Sequence, residues 1–144
     1  MGTRMTAVAV TGVSSAVGRA IVACLNADPS VTRIVGIDRQ APPMPPAKLA
    51  FVRADLRDPA LARLLGDVDV LIHQGAPDDV AGPGAQASAM TAHGTRHVLE
   101  AALAARVGAV VHVSTALVYG ARETNRVPLT EEDPPLARPD YPAA

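Results

Sequence analysis

Two glycines and one aspartate near the amino end have the types and spacing of a nucleotide-binding site. Gly12 and Gly18 bracket a turn between an apolar run and a helix-like stretch. A glycine at the end of a strand permits a tight turn, and the N–H groups at the start of the next helix attract anions such as a diphosphate. Asp38 follows Gly18 by twenty residues, at the end of a second apolar run. A carboxylate there is placed to accept hydrogen bonds from a ribose diol.

The spacing therefore predicts a dinucleotide site whose diphosphate lies on the glycine turn and whose adenosine ribose lies at the end of the second apolar run. The residues predicted to contact the cofactor there are Gly12, Ser14, Ser15, Ala16, Val17, Gly18, Asp38 and Arg39. The Asp38 carboxylate favours NAD because it repels a 2′-phosphate, whereas Arg39 beside it could attract one. NADP is the less favoured cofactor.

Hydroxyl side chains form a second candidate site. Ser114 and Thr115 end another apolar run, 110–113. At the carboxyl end of a central parallel strand these hydroxyls would lie over the same crevice as the glycine turn and could hold a substrate oxygen. They could equally cap the next turn, and position alone leaves both interpretations open.

The order of apolar runs and helical patterns indicates how these residues are positioned. Strands are predicted at 6–11, 32–38, 50–54, 68–73 and 109–114, and helices at 16–27, 58–65 and 85–107. Continuous apolar strands that alternate with helices are typical of a parallel sheet covered on both faces, a doubly wound α/β fold of the NAD(P)-binding Rossmann type. Right-handed crossovers place the first and fourth strands side by side and open a ligand crevice between their ends.

Composition limits the classes of function. The chain has 144 residues, of which 49% are hydrophobic and 19% charged, enough for one core. A formal net charge of −1 and the lack of a basic block argue against a nucleic-acid partner. Cys24 is the only cysteine, which excludes an internal disulfide, and we expect its thiol to be packed. No apolar run is long enough to span a bilayer, so we expect a soluble, cytoplasmic protein without a membrane partner.

The histidines do not predict a metal site. His93 and His97 lie four residues apart on a predicted helix, which is a metal-like spacing, but there is no HExxH glutamate and no evident third ligand. His112 lies within an apolar strand and is expected to be a hydrogen-bonded core residue. His73 is expected to shape the cofactor pocket rather than transfer protons.

Four sequence motifs occur in the order found in one protein family. They are the T-G-x-x-x-x-x-G turn, the strand-terminal Asp38, the segment Asp55-Leu56-Arg57-Asp58, and S-T-A-L-V-Y-G at 114–120. In these motifs the chain resembles the amino-terminal part of extended short-chain dehydrogenases/reductases, the NAD-dependent epimerase/dehydratase family. The resemblance covers nearly every residue. It implies hydride transfer between a nicotinamide and a hydroxyl-bearing carbon of a sugar-nucleotide-like substrate.

The same resemblance implies two catalytic residues. Thr115 corresponds to the hydroxyl that assists catalysis, and Tyr141 resembles the tyrosine of a Tyr-x-x-x-Lys motif, which acts as acid and base. The lysine position would follow Ala144. A phenol has an ordinary pKa near 10, and a nearby ammonium is needed to lower it toward neutral pH. We therefore expect residues 1–144 to be a dinucleotide-binding domain without a substrate domain, inactive alone, and part of a homodimer in the complete form.

Further cofactor contacts are implied by the resemblance. Ser15 stands where the middle glycine of the family's T-G-x-x-G-x-x-G pattern would fall. Asp55 and Leu56 resemble the pair that flanks the adenine, with the carboxylate accepting its exocyclic amine. Thr91 stands where the family usually has an asparagine that supports the site. Three residues resemble the fourth-strand end that passes the pyrophosphate and nicotinamide ribose: Gln74, Gly75 and Ala76.

A second function class stays open. Ser15 and Thr91 depart from the family pattern, and these departures are also what a non-catalytic NAD(P)-binding sensor or regulatory module would show. The residue after Ala144 would discriminate, because a lysine favours an enzyme and an apolar residue favours a sensor.

Overall fold

The structure, a computed structural model, describes residues 6–74, 85–114, 116–120 and 123–135, with the backbone alone at 85–91 and 116–117. Strands and helices alternate in the described chain: β1 (Thr6–Thr11), α1 (Ala16–Ala27), β2 (Val31–Asp38), β3 (Leu49–Arg53), α2 (Leu61–Leu64), β4 (Val70–Gln74), α3 (Ala85–Ala104) and β5 (Ala109–Val113). A single 3-10 turn, Ala116–Tyr119, follows β5. Every predicted element is present, and β1 and α1 have the predicted bounds.

Two helices are shorter than predicted. The helix expected at 58–65 is Leu61–Leu64, and α3 ends at Ala104 rather than 107. Arg106 has a φ of 57°, in the left-handed region, and its N–H donates to Leu103 O while the Val107 N–H donates to Ala102 O. This pair of bonds is the Schellman helix ending, here with arginine where glycine is usual, and it terminates α3 before the predicted residue.

The five strands form one parallel sheet in the order β3-β2-β1-β4-β5. β1 lies at the centre, paired with β2 on one side and β4 on the other, so the winding reverses direction at the β1–β4 boundary. Thr6–Thr11 and Val70–Gln74 therefore end side by side, as the sequence predicted. The predicted doubly wound α/β fold is confirmed, and a ligand crevice is expected at this boundary.

Helices cover both faces of the central strands, and successive strand residues point to opposite faces. Val8 and Val10 point toward α1, and Ala9 points toward α2 and α3. The buried cluster on the α1 face is Val8, Val10, Val13, Val22, Val31 and Ile34. The cluster on the other face is Ala9, Val35, Ile37, Leu61, Leu65, Val68, Leu71, Val98, Ala101 and Ala102.

Two burial predictions are wrong. His112 is exposed because β5 is the last strand in the sheet order. Val110 and Val111 of the same strand are also exposed, at 41% and 51%. Cys24 is exposed as well. The face of α1 that meets the sheet carries Gly18 and Val22, and residue 24 lies on the opposite face of the helix. Among the described helices, none is long and apolar enough to span a membrane.

The contact between α1 and the end of β1 leaves no room for a side chain at Gly18. A Cβ atom placed there would lie 2.0 Å from Gly12 O and 2.9 Å from Val13 Cα. Both neighbours are backbone, so the helix itself would have to move. The first turn of α1 is therefore held directly against the turn that precedes it.

We expect Gly18→Ala to lower the free energy of unfolding by at least ~2 kcal/mol, because the new methyl overlaps backbone atoms that cannot rotate away. Urea unfolding monitored by circular dichroism measures the loss. Gly66→Ala is the matched control, since its nearest contact would be Arg63 O at 3.4 Å. Equal losses in the two variants would contradict this account of the packing.

Candidate cofactor site

The glycine turn is formed by local backbone hydrogen bonds. Gly12 has a φ of 74°, which favours glycine, and its N–H donates to Ile37 O of β2 at 3.0 Å. Ser15 is the N-cap of α1, with φ −68° and ψ 162°, and its Oγ accepts a hydrogen bond from the Gly18 N–H at 2.9 Å. The turn thus ends β1 and starts α1 within four residues of Gly12.

The first two amides of α1 remain available to a ligand. The cap uses the Gly18 N–H, and the Arg19 N–H donates to Ser15 O. Among the described residues, the N–H groups of Ala16 and Val17 have no hydrogen-bond partner, and both residues are exposed. Unpaired N–H groups at a helix start carry a partial positive charge and bind anions.

Ser15 also joins the turn to the end of β4. Its Oγ lies 2.9 Å from Gly12 O and 2.8 Å from Gln74 Oε1. A hydroxyl has one proton, so it donates to one of these oxygens at a time. Gln74 is 8% exposed, and its side chain packs beside Gly12, 3.5 Å from where a Cβ would stand. The serine in the middle-glycine position is therefore engaged within the protein as a cap and a bridge.

The Asp38 carboxylate faces the glycine turn. Its Oδ2 accepts from the Ser14 N–H at 2.9 Å and from Ser14 Oγ at 2.6 Å. Its Oδ1 accepts from the N–H groups of Arg39 and Gln40 at 2.6 and 3.3 Å. The structure thus brings together the carboxylate at the end of β2 and the turn after β1, as the spacing in the sequence indicated.

The two residues predicted to flank the adenine follow β3 at the same edge of the sheet. The Ala54 N–H donates to Asp38 O at 3.0 Å, which places Asp55 next to the end of β2. The Arg57 guanidinium clamps the Asp55 carboxylate through Nε to Oδ1 at 2.8 Å and Nη2 to Oδ2 at 2.9 Å. These bonds, with the charge of Arg39, hold the pKa of Asp55 well below its usual range. Leu56 is half-buried against the core on the α2 side.

A buried histidine connects β1, β4 and α3 beside the crevice. His73 Nδ1 lies 2.8 Å from Thr11 Oγ1, and His73 Nε2 lies 3.1 Å from Thr95 Oγ1. The Gln74 N–H donates to the same Thr11 hydroxyl at 3.2 Å. The ring stacks on that of His112 with centroids 5.3 Å apart.

The environment of His73 keeps its ring neutral. Burial first, and the neighbouring His112 second, lower the pKa of His73 to about 4 from its ordinary value of 6.5. A neutral imidazole donates through one nitrogen and accepts through the other, which matches one threonine hydroxyl on each side. This geometry fits the expectation that His73 shapes the site. The hydroxyls of Thr11 and Thr95 were not identified from the sequence as its partners, because that pairing depends on how β1 and α3 pack.

Several predicted site residues lie outside the described part of the chain. These are Thr115, Tyr141, Gly75 and Ala76, together with the side chain of Thr91. Their roles stay predictions. Ser114, next to Thr115, is exposed after β5. Within the described residues, no cluster of three His, Cys, Asp or Glu side chains could hold a metal ion.

The chain belongs to the NAD dependent epimerase/dehydratase family, whose pattern matches residues 8–144. This match confirms the family predicted from the sequence. It also confirms NAD as the cofactor on which that family depends. The family description states NAD dependence and epimerase or dehydratase chemistry. It does not state the substrate of this chain.

Individual relatives are similar to the chain over nearly its whole length. The uncharacterized protein Rv0501 of Mycobacterium tuberculosis is 31% identical over 134 residues, covering 87% of this chain and 36% of that protein. A second relative is a short-chain dehydrogenase/reductase superfamily protein from Agrobacterium tumefaciens, solved with bound NAD, with a TM-score of 0.73 at 28% identity. The match covers 92% of this chain and 39% of the Agrobacterium protein.

A third relative, MoeE5 in complex with UDP-glucose and NAD, has a TM-score of 0.70 at 25% identity. The match covers 90% of this chain and 42% of MoeE5. This chain therefore spans about two fifths of the length of each of these three relatives.

The stability of the chain should fall as the pH drops from 6.5 toward 4. Because the folded-state pKa of His73 lies below the unfolded value, unfolding takes up a proton in this range. The stabilising contribution is complete above pH 6.5 and is lost toward pH 4. Between pH 7 and pH 5 we expect His73 to lower the free energy of unfolding by ~2 kcal/mol, measured by urea unfolding. In His73→Gln the fall in the free energy of unfolding over the same pH range should be smaller by that amount.

An independent measurement keeps this prediction testable if His73→Gln does not fold. An NMR titration of the wild-type imidazoles should show one ring that stays neutral down to about pH 5. A His73 ring that becomes protonated above pH 6 would contradict the prediction.

Proposed function

We propose that this chain binds NAD and forms the dinucleotide-binding domain, residues 1–144, of an epimerase, dehydratase or related oxidoreductase that acts on a sugar nucleotide. One observation carries the proposal. The unpaired N–H groups of Ala16 and Val17 lie beside the positive-φ turn at Gly12, and the Asp38 carboxylate faces that same turn. Hydrogen-bond donors for an anion and a hydrogen-bond acceptor for a diol therefore lie next to each other at one edge of the sheet.

The phosphate half of the site fits a diphosphate closely approached by backbone. Because Gly18 has no side chain, the first turn of α1 lies directly on the Gly12 backbone and directs its N–H groups into the crevice. The amides of Ala16 and Val17 would donate to phosphate oxygens, aided by the partial charge of the helix start. The apolar side chain of Val17, 47% exposed, would cover part of the ligand.

The adenosine half of the site would be formed by the ends of β2 and β3. Asp38 would accept a ribose hydroxyl, and its negative charge favours NAD over NADP. The Asp55 carboxylate, ionised and held in place by Arg57, would accept a hydrogen bond from the exocyclic amine of adenine. Leu56 would supply an apolar edge for the base.

The bound cofactor would supply hydride acceptance and donation at its nicotinamide ring. In this proposal the Thr115 hydroxyl holds the reacting oxygen of the substrate, and the Tyr141 phenol gives and takes its proton. The phenol acts at neutral pH if a neighbouring ammonium lowers its pKa, which is the role of the lysine in the Tyr-x-x-x-Lys motif. The binding of UDP-glucose by MoeE5 supports a sugar nucleotide as the substrate class. A homodimer in the complete form belongs to the same proposal.

Ala16→Pro tests the anion-binding role of one backbone amide. Proline is tolerated at the first position of a helix, and Ser15, at ψ 162°, already has the backbone conformation that precedes proline. The fold should therefore persist, while the amide hydrogen that would bind the diphosphate is replaced by the ring carbon of proline. We expect NAD binding by isothermal titration calorimetry to weaken at least tenfold, roughly the value of one hydrogen bond to a charged group.

Ala16→Ser is the control for this experiment, because it changes the side chain and keeps the N–H group. Its dissociation constant for NAD should remain near that of the wild type. Equal binding by Ala16→Pro and Ala16→Ser would show that the amide does not contact the ligand. Failure of the wild type to bind NAD would reject the proposed function.

The catalytic assignment is tested in a protein that has the full length of its relatives. Tyr141→Phe removes only the phenol oxygen, so we expect turnover to fall at least 100-fold while NAD binding is unchanged, since the lost group transfers the proton. Turnover of sugar nucleotides is followed by chromatography of the substrate and product, because an epimerase or dehydratase regenerates its NAD in each cycle and accumulates no reduced nicotinamide. Wild-type turnover in Tyr141→Phe would reject the assignment. NAD binding without turnover in the wild type would favour the non-catalytic sensor.

A further inference from the structure

The Asp38 carboxylate is already fully hydrogen-bonded by the protein itself. Two carboxylate oxygens offer about four lone-pair positions. Four donors occupy them, two from Ser14 on Oδ2 and one each from Arg39 and Gln40 on Oδ1. A ribose hydroxyl can therefore bind this carboxylate only by displacing one of the four.

Only one of these donors can leave without moving the backbone. Three are main-chain N–H groups, fixed by the end of β2 and by the glycine turn. The backbone of Ser14 is held additionally by the Arg19 guanidinium, which donates to Ser14 O. The Ser14 hydroxyl, 2.6 Å from Oδ2, is the exception, because it can rotate about a single side-chain bond.

We infer that Ser14 sets the affinity for the cofactor, because its hydroxyl holds the place of the ribose hydroxyl on Asp38 in the free protein. When the cofactor binds, the Ser14 Oγ–H turns away and a ribose O–H donates to Oδ2 in its place. No covalent bond changes in this exchange. The inference rests on the proposed binding of NAD and adds to it a competing group within the chain.

The exchange makes the serine a competitor of the ribose diol. A ligand with a ribose diol replaces the displaced hydrogen bond with its own. A ligand without the diol cannot do so, and it must either leave Ser14 in place or leave Asp38 short of a donor. The serine therefore lowers the affinity for NAD while it keeps the carboxylate satisfied in the absence of ligand.

Ser14→Ala removes the competitor and keeps the backbone N–H on Asp38. We expect this variant to bind NAD about three- to tenfold more tightly than the wild type in isothermal titration calorimetry, the range for one net hydrogen bond. The dissociation constant for an NAD analogue with a 2′,3′-dideoxyadenosine ribose should be the same in both proteins, because that analogue displaces nothing.

The chain offers a matched control away from the turn. Ser30 donates to Asp28 Oδ1 through both its N–H, at 2.8 Å, and its Oγ, at 2.7 Å. This repeats the pairing of Ser14 with Asp38 at the other end of α1. Ser30→Ala should leave the dissociation constants for NAD and for the dideoxy analogue unchanged, and thermal unfolding should show that both variants are folded.

The outcomes separate this inference from the proposed function. Equal NAD binding by the wild type and Ser14→Ala would overturn the inference, because ribose would then bind without displacing the serine. Weaker NAD binding by Ser14→Ala would also overturn it, since the hydroxyl would then be orienting Asp38 for the ligand. Failure of the wild type to bind NAD would reject the proposed function and this inference together.

Discussion

The contact of Gly18 with the backbone of Gly12 is the constraint on which the site depends. A helix can present its first N–H groups to a ligand in a crevice only when its start lies against the strand end that forms the crevice. The 2.0 Å separation between Gly12 O and a hypothetical Cβ at residue 18 shows how closely the two segments approach. Ser15 then caps the third amide and leaves the first two unpaired.

The same site shows how neighbouring strands are kept in register at the crevice. Thr11 at the end of β1 binds both the ring of His73 and the N–H of Gln74, so the two central strands are joined by side chains where their backbone ladder ends. Ser15 adds a second link to Gln74 across the glycine turn. A neutral imidazole suits this position, because a buried charge there would have no counter-ion among the described partners.

Local patterns predicted the parts of this fold that depend on local geometry. Gly12, Gly18 and Asp38 could be placed because a turn, a helix start and a strand end each have a residue signature. The exposure of His112 could not, since an apolar strand looks the same in sequence whether it pairs on one edge or two. The hydroxyl of Ser14 on Asp38 was also missed. That contact depends on the pairing of β1 with β2, which fixes the distance between residues 24 positions apart.

The ending of α3 has a practical consequence for work with this chain. Arg106 adopts a left-handed conformation that disfavours any residue with a Cβ atom, at a cost of about 1 kcal/mol relative to glycine. The position is exposed and follows the carboxyl end of α3, whereas Thr95, which contacts His73 beside the crevice, lies near the middle of that helix. Arg106 is thus a site where thermal tolerance can be engineered separately from ligand affinity, by relieving backbone strain alone.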